Sequence, residues 1–321
     1  MPRVNRHPSH LDKQDQELHN IQLLFPHMVE MVNDFRAGKG RDLPDWPDWC
    51  LLPMSGWDAI NTPPRTPLAS LTALGTWSFS RGTYAIDPTL TDALAETGLS
   101  DALPSRAFYH LPEWCVFIET PGRMFSDTAL TGFWAHLEWD TNQNRPELRL
   151  LLLTDTGLVP IVLHLGDWSV LTAIKKAIEE AKSYVQPGDK RLENFDLVAL
   201  KDEITPLVSL LLYLCSDAPD IEPGRQPKQS IFRPQYGQGA EKAGKLVQAE
   251  KPMRFEVGRV IGGILRSAQS AQEPASTGKG KRAHLRRGHW HGFWYGPRDG
   301  ERRFGYRWLH PIIAGGKQKT G

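Results

Sequence analysis

Cysteines are scarce in this sequence and long apolar runs are absent, and both shortages narrow the class of protein. Cys50, Cys115 and Cys215 stand far apart in apolar surroundings and form no C-x-x-C pair, so we expect buried thiols rather than a disulfide framework or a zinc ribbon. No apolar run approaches the ~18 residues that a membrane span requires. The first residues also lack the apolar core of a signal peptide. We therefore expect a soluble cytoplasmic protein with no membrane contact.

The short motifs that mark common enzyme sites are also missing. The sequence contains no P-loop, no G-x-S-x-G, no H-E-x-x-H and no G-x-G-x-x-G after an apolar run. We expect no cofactor, and nothing among these motifs indicates an enzyme. The stretch DAPDIE (217–222) collects carboxylates at the end of a predicted helix, but no convergent group accompanies it. We interpret this stretch as the rim of a loop.

The hydrophobic patterning predicts an α+β fold with a helical N-terminal part, a central antiparallel sheet with flanking helices and a C-terminal basic, aromatic β-hairpin. Short alternating runs predict the strands of the sheet, at 114–120, 133–140, 147–155 and 158–165. Helical spacing predicts helices at 10–36 with a break at Pro26, 66–80, 88–97, 169–185, a stretch from Thr205-Pro206 to Cys215, and 254–267. In the last of these, Gly258 and Gly262 would let another element come close.

Composition along the chain predicts four regions. They are a helical and loop-rich N-terminal region (1–100), a central α+β core (101–222), a flexible linker or excursion (223–253), and a helix followed by the basic hairpin (254–321). Hydrophobic content is lowest in the third region, which is why we expect flexibility there.

Charge is concentrated in the fourth region. Residues 279–310 hold nine Lys and Arg against Asp299 and Glu301, a local net charge of +7 in a chain whose total is +1. The rest of the chain therefore sums to −6, and such an asymmetry is typical of a polyanion-binding end. Strand alternation places Phe304, Tyr306 and Trp308 on one face of the hairpin and Arg303, Gly305 and Arg307 on the other, and it places His289, His291, Phe293 and Tyr295 opposite Trp290 and Trp294.

Four interpretations of the hairpin compete. His289 and His291, at i and i+2, could bind a metal together with His284 or His310, or act as a metal-free acid–base pair on a phosphate. Stacking rings beside guanidinium groups are what single-stranded nucleic acids require, and in the fourth interpretation the rings are core and the arginines are solvated or paired. We favour nucleic-acid binding, with the candidate residues Arg286, Arg287, His289, Trp290, His291, Trp294, Arg303 and Arg307.

A second candidate surface lies near the N-terminus. The loop 41–58 is acidic and contains Trp46, Trp49 and Trp57, and large rings of this kind dominate peptide interfaces. The same rings would also pin a loop to a core, and that interpretation is the stronger one.

Five ordered blocks carry a resemblance to a known family. They are LPEWCVFIE (111–119), GFWAHLEWD (132–140), LLLYLCSDAPDIE (210–222), FEVGRVIGGILR (255–266) and RAHLRRGHWHGFWYG (282–296), followed by RW (307–308). Together they resemble the type V-A anti-CRISPR family of the second-described kind, whose members occur on phages, plasmids and other mobile elements. The similarity runs from about residue 100 to 313, whereas the first hundred residues match poorly.

The resemblance implies a mechanism that residue patterns alone do not indicate. A member of this family would bind the nascent N-terminal peptide of the type V-A CRISPR effector nuclease on its translating ribosome and promote destruction of the mRNA, with a host ribonuclease as the cutting enzyme. The alternatives from the residues themselves are a general single-stranded nucleic-acid-binding protein and a histidine ribonuclease using His289 and His291. Divergence in the first hundred residues implies that this homologue could recognise a different target.

Overall fold

The structure is a computed structural model, and it describes residues 12–183, 197–222, 245–270, 284–286, 288–297, 299–300 and 302–314. Its helices are α1 (Lys13–Leu24), α2 (Met28–Gly38), α3 (Met54–Ile60), α4 (Leu68–Trp77), α5 (Pro88–Ala95), α6 (Val170–Ser183), α7 (Leu197–Cys215) and α8 (Arg259–Ser270), with a 3-10 helix at Ser105–His110. Its strands are β1 (Gly82–Ile86), β2 (Cys115–Phe125), β3 (Thr128–Asp140), β4 (Arg145–Thr154), β5 (Gly157–His164), β6 (Met253–Val257), β7 (His284–Arg286), β8 (His289–Tyr295), β9 (Arg303–Leu309) and β10 (Ile312–Ala314).

The predicted α+β class is confirmed. Strands β1–β6 form one sheet in the order β5-β4-β3-β2-β1-β6. At its centre β2, β3 and β4 are the predicted antiparallel meander, with Phe117 opposite Trp134 and Trp134 opposite Leu151. Two separate two-stranded sheets follow, β7 with β10 and β8 with β9. The C-terminal hairpin is therefore not part of the large sheet.

The chain divides into two compact units, each assembled from separate stretches of sequence. The first contains the described residues within Met1–Thr83, Glu113–Val162 and Ile231–Met253, and the second those within Tyr84–Pro112, Leu163–Ser230 and Arg254–Gly321. The four regions predicted above are sections along the sequence, whereas these units are groups of residues that pack together. The predicted region boundaries stay a prediction.

The first unit buries a core rich in tryptophan between its helices and the meander. Trp134 is fully buried, with its ring centroid 5.9 Å from that of Trp77 and 4.8 Å from that of Phe117. Trp46 and Trp57 are also buried in this cluster, and the half-buried Trp49 packs edge-on against Trp139 at 5.9 Å. The tryptophans thus hold the loop 41–58 to the core, which is the stronger of the two interpretations given above for this loop.

Residues 245–253 belong to the first unit and are anchored in it. The Asn33 side chain makes two hydrogen bonds to the backbone of Leu246, at 2.8 and 3.0 Å, and the Ala249 amide donates to the Ser78 carbonyl at 3.0 Å. This part of the predicted linker is therefore not free, because side-chain amides replace the apolar contacts that its composition lacks. The remaining part, 223–244, lies outside the described residues.

Two helix predictions in the second unit need correction. The helix expected to start at Thr205-Pro206 begins at Leu197 and continues through Pro206, and the Thr205 hydroxyl donates to the Lys201 carbonyl one turn earlier at 2.7 Å. Pro206 cannot donate the backbone hydrogen bond to the Asp202 carbonyl, so the helix depends on the packing of the residues that follow. From Leu207 to Cys215 nearly every side chain is buried, which agrees with the all-apolar pattern.

The helix expected over 254–267 is in fact a strand followed by a helix. Phe255 and Val257 alternate with exposed or half-buried neighbours in β6, and the chain turns at Gly258, whose φ is +75°, before α8 begins. A Cβ at Gly258 would lie 2.1 Å from Leu90 Cδ2, and one at Gly262 would lie 2.2 Å from Asp87 Oδ1. The close approach predicted for these two glycines is confirmed, and α5 is the element that comes close.

Candidate functional site: the C-terminal hairpin

The hairpin of β8 and β9 is the predicted one, and its register sorts the side chains as strand alternation requires. Trp290 lies opposite Trp308, His291 opposite Arg307, Phe293 opposite Gly305, and Tyr295 opposite Arg303. We call the side with Trp290, Trp294, Phe304, Tyr306 and Trp308 the tryptophan face, and the side with His289, His291, Phe293, Tyr295, Arg303, Gly305 and Arg307 the arginine face.

The tryptophan face packs the hairpin against the rest of the second unit. The Tyr306 hydroxyl donates to the Leu212 carbonyl at 3.0 Å, and the Trp308 indole N–H donates to Thr97 Oγ1 at 3.0 Å. Trp308 also meets the Tyr213 ring edge-on at 6.5 Å. Burial raises the pKa of Tyr306, which keeps its phenol a neutral donor. The tryptophan face is therefore mainly a packing surface, and of its tryptophans only Trp294 is largely exposed.

The two tryptophans predicted to stack on bases, Trp290 and Trp294, differ in their exposure. Trp290 is only 7% exposed, so its ring is packed and no base can reach it without unfolding the hairpin. Trp294 is 58% exposed, and the Arg302 guanidinium lies 6.0 Å from its ring centroid. Trp294 therefore keeps the capacity for stacking that was predicted for it.

The arginine face carries the ring and cation arrangement that the composition indicates. His291, Phe293 and Tyr295 follow one another along β8 with centroid separations of 6.1 and 5.9 Å. The Arg307 guanidinium lies 4.9 Å from the Phe293 centroid, a cation–π contact that orients it. Arg303 and Arg307 are exposed and form no ion pair with a described residue, so both can bind an external anion.

Phe293 and Tyr295 are the site residues that sequence reasoning missed. Alternation places both on one face of the first strand with His289 and His291, but the predicted stacking role went to the tryptophans, whose rings are the largest. The signal that could have found them is the register itself, since Tyr295 shares its face with Arg303 and Arg307. Among the other predicted residues, Arg287 lies outside the described residues, and Arg286 is described only as the end of β7.

Among the described residues, the metal interpretation gains no further ligand for His289 and His291. His289 and His291 are exposed on the arginine face, whereas His310 uses Nδ1 near the Pro311 carbonyl at 3.0 Å. Within the part of the chain that the structure describes, no group of three or more His, Cys, Asp or Glu side chains could hold a metal ion.

A cluster of buried ionisable side chains in the first unit is a second place with unusual chemistry. His136 and Glu138 lie on β3 opposite Arg149 and Glu147 on β4. Glu138 Oε1 accepts from the Met54 amide at 2.6 Å, and Arg149 reaches Glu147 Oε2 at 2.5 Å. Burial raises the pKa of Glu138 to about 8 and lowers the pKa of His136 to about 3. Both groups are therefore uncharged near pH 7, which makes the cluster part of the core.

This cluster sets a pH dependence of stability. Between its ordinary pKa of 4.5 and about 8, folded Glu138 keeps a proton that the unfolded chain has released, so stability falls as pH rises. His136 has the opposite effect, but only between about 3 and 6.5. From pH 6.5 to 8 we therefore expect the free energy of unfolding of the wild type to fall by at most about 1.4 kcal/mol per pH unit because of Glu138. The Glu138→Gln variant should lack this decline.

Urea unfolding of the wild type and Glu138→Gln at several pH values in this window measures the effect. The exposed Glu179→Gln variant is the control and should keep the wild-type decline. Parallel curves for the wild type and Glu138→Gln would show that Glu138 is ionised in the folded state.

The fold and the hairpin together define a two-unit α+β protein whose second unit presents a basic, aromatic face. The family model for the AcrVA2-like family, described as the anti-CRISPR type V subtype A2 family, matches residues 84–316. The chain belongs to this family and is an anti-CRISPR protein of type V-A. The match begins somewhat before residue 100 and includes the whole second-unit hairpin, in agreement with the resemblance stated from the sequence blocks.

Comparison of structures extends the likeness of fold to the N-terminal region. A crystal structure of AcrVA2 is similar with a TM-score of 0.64 at 22% sequence identity, over 94% of this chain and 99% of that chain. The family model begins only at residue 84, so most of the described residues before it share this fold without a match to the family model. Comparison with curated proteins gives no significant match. None of the helices among the described residues combines the length and the hydropathy needed to cross a membrane.

Proposed function

We propose that this anti-CRISPR protein lowers the amount of the type V-A effector nuclease, by recognising its nascent N-terminal peptide during translation and promoting destruction of the mRNA by a host ribonuclease. Family membership supports the target class. The observation that carries the link to mRNA is the arginine face, where Arg303 and Arg307, which have no ion-pair partner among the described residues, stand beside a row of exposed and half-buried rings.

The role of the hairpin in this proposal is contact with RNA. Arginine side chains neutralise phosphates, and aromatic rings stack on unpaired bases without regard to sequence. Arg303 and Arg307 would hold the backbone while Tyr295, on the same face, supplies a stacking surface, and Trp294 would offer a second ring on the other side of the hairpin. The choice of message would come from the nascent peptide, which another surface of the protein binds.

The test is to express the protein together with the effector nuclease and to measure effector mRNA and protein. Synonymous recoding of the first codons should leave the loss of message intact, because the encoded peptide is unchanged. Codon changes that alter the peptide should restore the message. A message that survives synonymous recoding would assign recognition to the nucleotide sequence. A message that disappears in both cases would place recognition outside these first codons, and one that never falls would remove the proposal.

A general single-stranded nucleic-acid-binding protein is the second candidate function, and the same arginine face favours it. In that case the loss of message would be absent, while purified protein would bind unrelated single strands in a strongly salt-dependent manner.

A further inference from the structure

The acidic stretch at 217–222, which we interpreted as a loop rim, brings one carboxylate onto the arginine face. The Asp217 amide donates to the Tyr306 carbonyl at 2.9 Å, which fixes the loop to β9. Asp217 lies two residues after the end of α7, and its side chain is exposed. The rim is therefore part of the hairpin surface rather than a separate loop.

Gly305 makes the room for this carboxylate. A Cβ at Gly305 would lie 2.2 Å from Asp217 Oδ2, 2.8 Å from Tyr295 Cε1 and 3.0 Å from Phe293 Cε2. The carboxylate oxygen and the edges of both rings thus meet over one backbone position. Asp217 has no ion-pair partner among the described residues, so its oxygens can accept hydrogen bonds from a ligand.

The arginines on both sides of Asp217 limit the charge that such a ligand can carry. Arg303 and Arg307 lie on the same face, two residues before and two residues after Gly305, so their Cα atoms are about 13 Å apart. They would repel a cationic ligand such as a lysine side chain or a peptide amine. A ligand with neutral N–H donors in the middle and anionic groups at both ends fits this pattern of charge.

An unpaired guanine within a single strand has these properties. Its Watson–Crick edge presents the N1–H and the N2 amine side by side, and two parallel donors match the two oxygens of a carboxylate. Adenine and cytosine each place a ring acceptor beside their amine, which would face the carboxylate unfavourably. Tyr295 is 47% exposed, whereas the face of Phe293 is already occupied by the Arg307 guanidinium, so Tyr295 is the ring that can stack on the base.

We infer that the arginine face binds an unpaired guanine of single-stranded RNA. The base stacks on Tyr295 and donates its N1–H and N2 amine to the Asp217 carboxylate, and the flanking phosphates contact Arg303 and Arg307. This inference rests on the RNA contact of the proposed function and adds a base preference to it.

The test uses the purified full chain and three short uridine-rich RNA oligonucleotides that differ at one central position: guanine, inosine or adenine. Inosine differs from guanine only by the missing N2 amine. We expect the guanine oligonucleotide to bind roughly tenfold more tightly than the other two, the size of discrimination that one bidentate base contact gives. Fluorescence anisotropy titrations measure this ratio.

Asp217→Asn should bring the guanine-to-inosine ratio close to one while RNA binding remains, because the arginines are unchanged and one negative charge is lost. Asp299→Asn, which removes an exposed carboxylate from the turn of the same hairpin, is the matched control and should keep the preference. Tyr295→Leu should weaken binding of all three oligonucleotides.

The outcomes separate this inference from the proposed function. Equal binding of the three oligonucleotides by the wild type overturns the guanine site but leaves the RNA contact. A preference that survives Asp217→Asn also overturns it. No RNA binding at all removes both, and tighter binding of a cationic peptide than of any RNA, lost in Asp217→Asn, would make the surface a peptide site.

Discussion

Replacing both Arg303 and Arg307 with alanine is expected to reduce the salt dependence of single-stranded RNA binding by about 1.4 in log–log slope, because each lost phosphate contact removes about 0.7. Both side chains are exposed on the arginine face and have no carboxylate partner among the described residues. Anisotropy titrations of one labelled oligonucleotide at a series of salt concentrations measure the slope. Affinity at low salt should fall with it.

The matched control is the double variant Arg106→Ala/Arg259→Ala. These two arginines are exposed, pair with Asp167 and Glu222, and belong to helices rather than to the hairpin strands. Their replacement changes the net charge equally and removes only exposed ion pairs, which are worth little. If both double variants gave the same slope, the RNA affinity would come from overall charge rather than from the arginine face.

Replacing Trp134 with alanine is expected to lower the free energy of unfolding by about 3–5 kcal/mol, the usual cost of removing a fully buried tryptophan. The ring fills the space between Trp77 and Phe117 in the first unit, and the vacated volume is too large for these two rings to fill. Urea unfolding followed by circular dichroism measures the loss.

Trp294→Ala is the control for that prediction because Trp294 is a tryptophan that is more than half exposed. Its replacement should change stability by less than about 1 kcal/mol, as is usual for surface sites. A small loss in Trp134→Ala, equal to that of the control, would mean that the first unit does not pack as the structure has it.

Much of the fold could be predicted from the sequence where the signals are local. Asp87 followed by Pro88 begins α5 as predicted, with the Asp87 carboxylate accepting from the amides of Thr89 and Leu90. The meander strands and the two faces of the hairpin follow from alternation with period two. Cap residues and side-chain periodicity act within a few positions, so a single sequence reveals them.

The errors occurred where distant packing overrides a local signal. Pro206 normally marks the start of a helix, but the buried side chains on both sides of it keep α7 continuous. Phe255 and Val257 fit both a helical and a strand pattern, and the turn at Gly258 separates β6 from α8. Short apolar runs of this kind cannot be assigned by periodicity alone.

In the candidate site, too, the local features could be predicted from the sequence, whereas the distant contacts could not. Alternation predicts that Arg303 and Arg307 share a face of one strand and that Tyr295 shares a face of the other with His291, but not how the two strands pair or which face of the hairpin is buried. That choice depends on Thr97 and Leu212, which are far away in sequence. The position of Asp217 beside Gly305 depends on the same docking, so no local pattern in DAPDIE could have indicated it.

The most direct test of the central claim, that the arginine face serves the loss of effector mRNA, is to quantify that mRNA in cells expressing the effector with each variant. With Arg303→Ala/Arg307→Ala at wild-type protein level, we expect effector mRNA to stay as high as without the inhibitor. With Arg106→Ala/Arg259→Ala, we expect it to fall as with the wild type. A folded Arg303→Ala/Arg307→Ala variant that lowers the mRNA as fully as the wild type would contradict the claim.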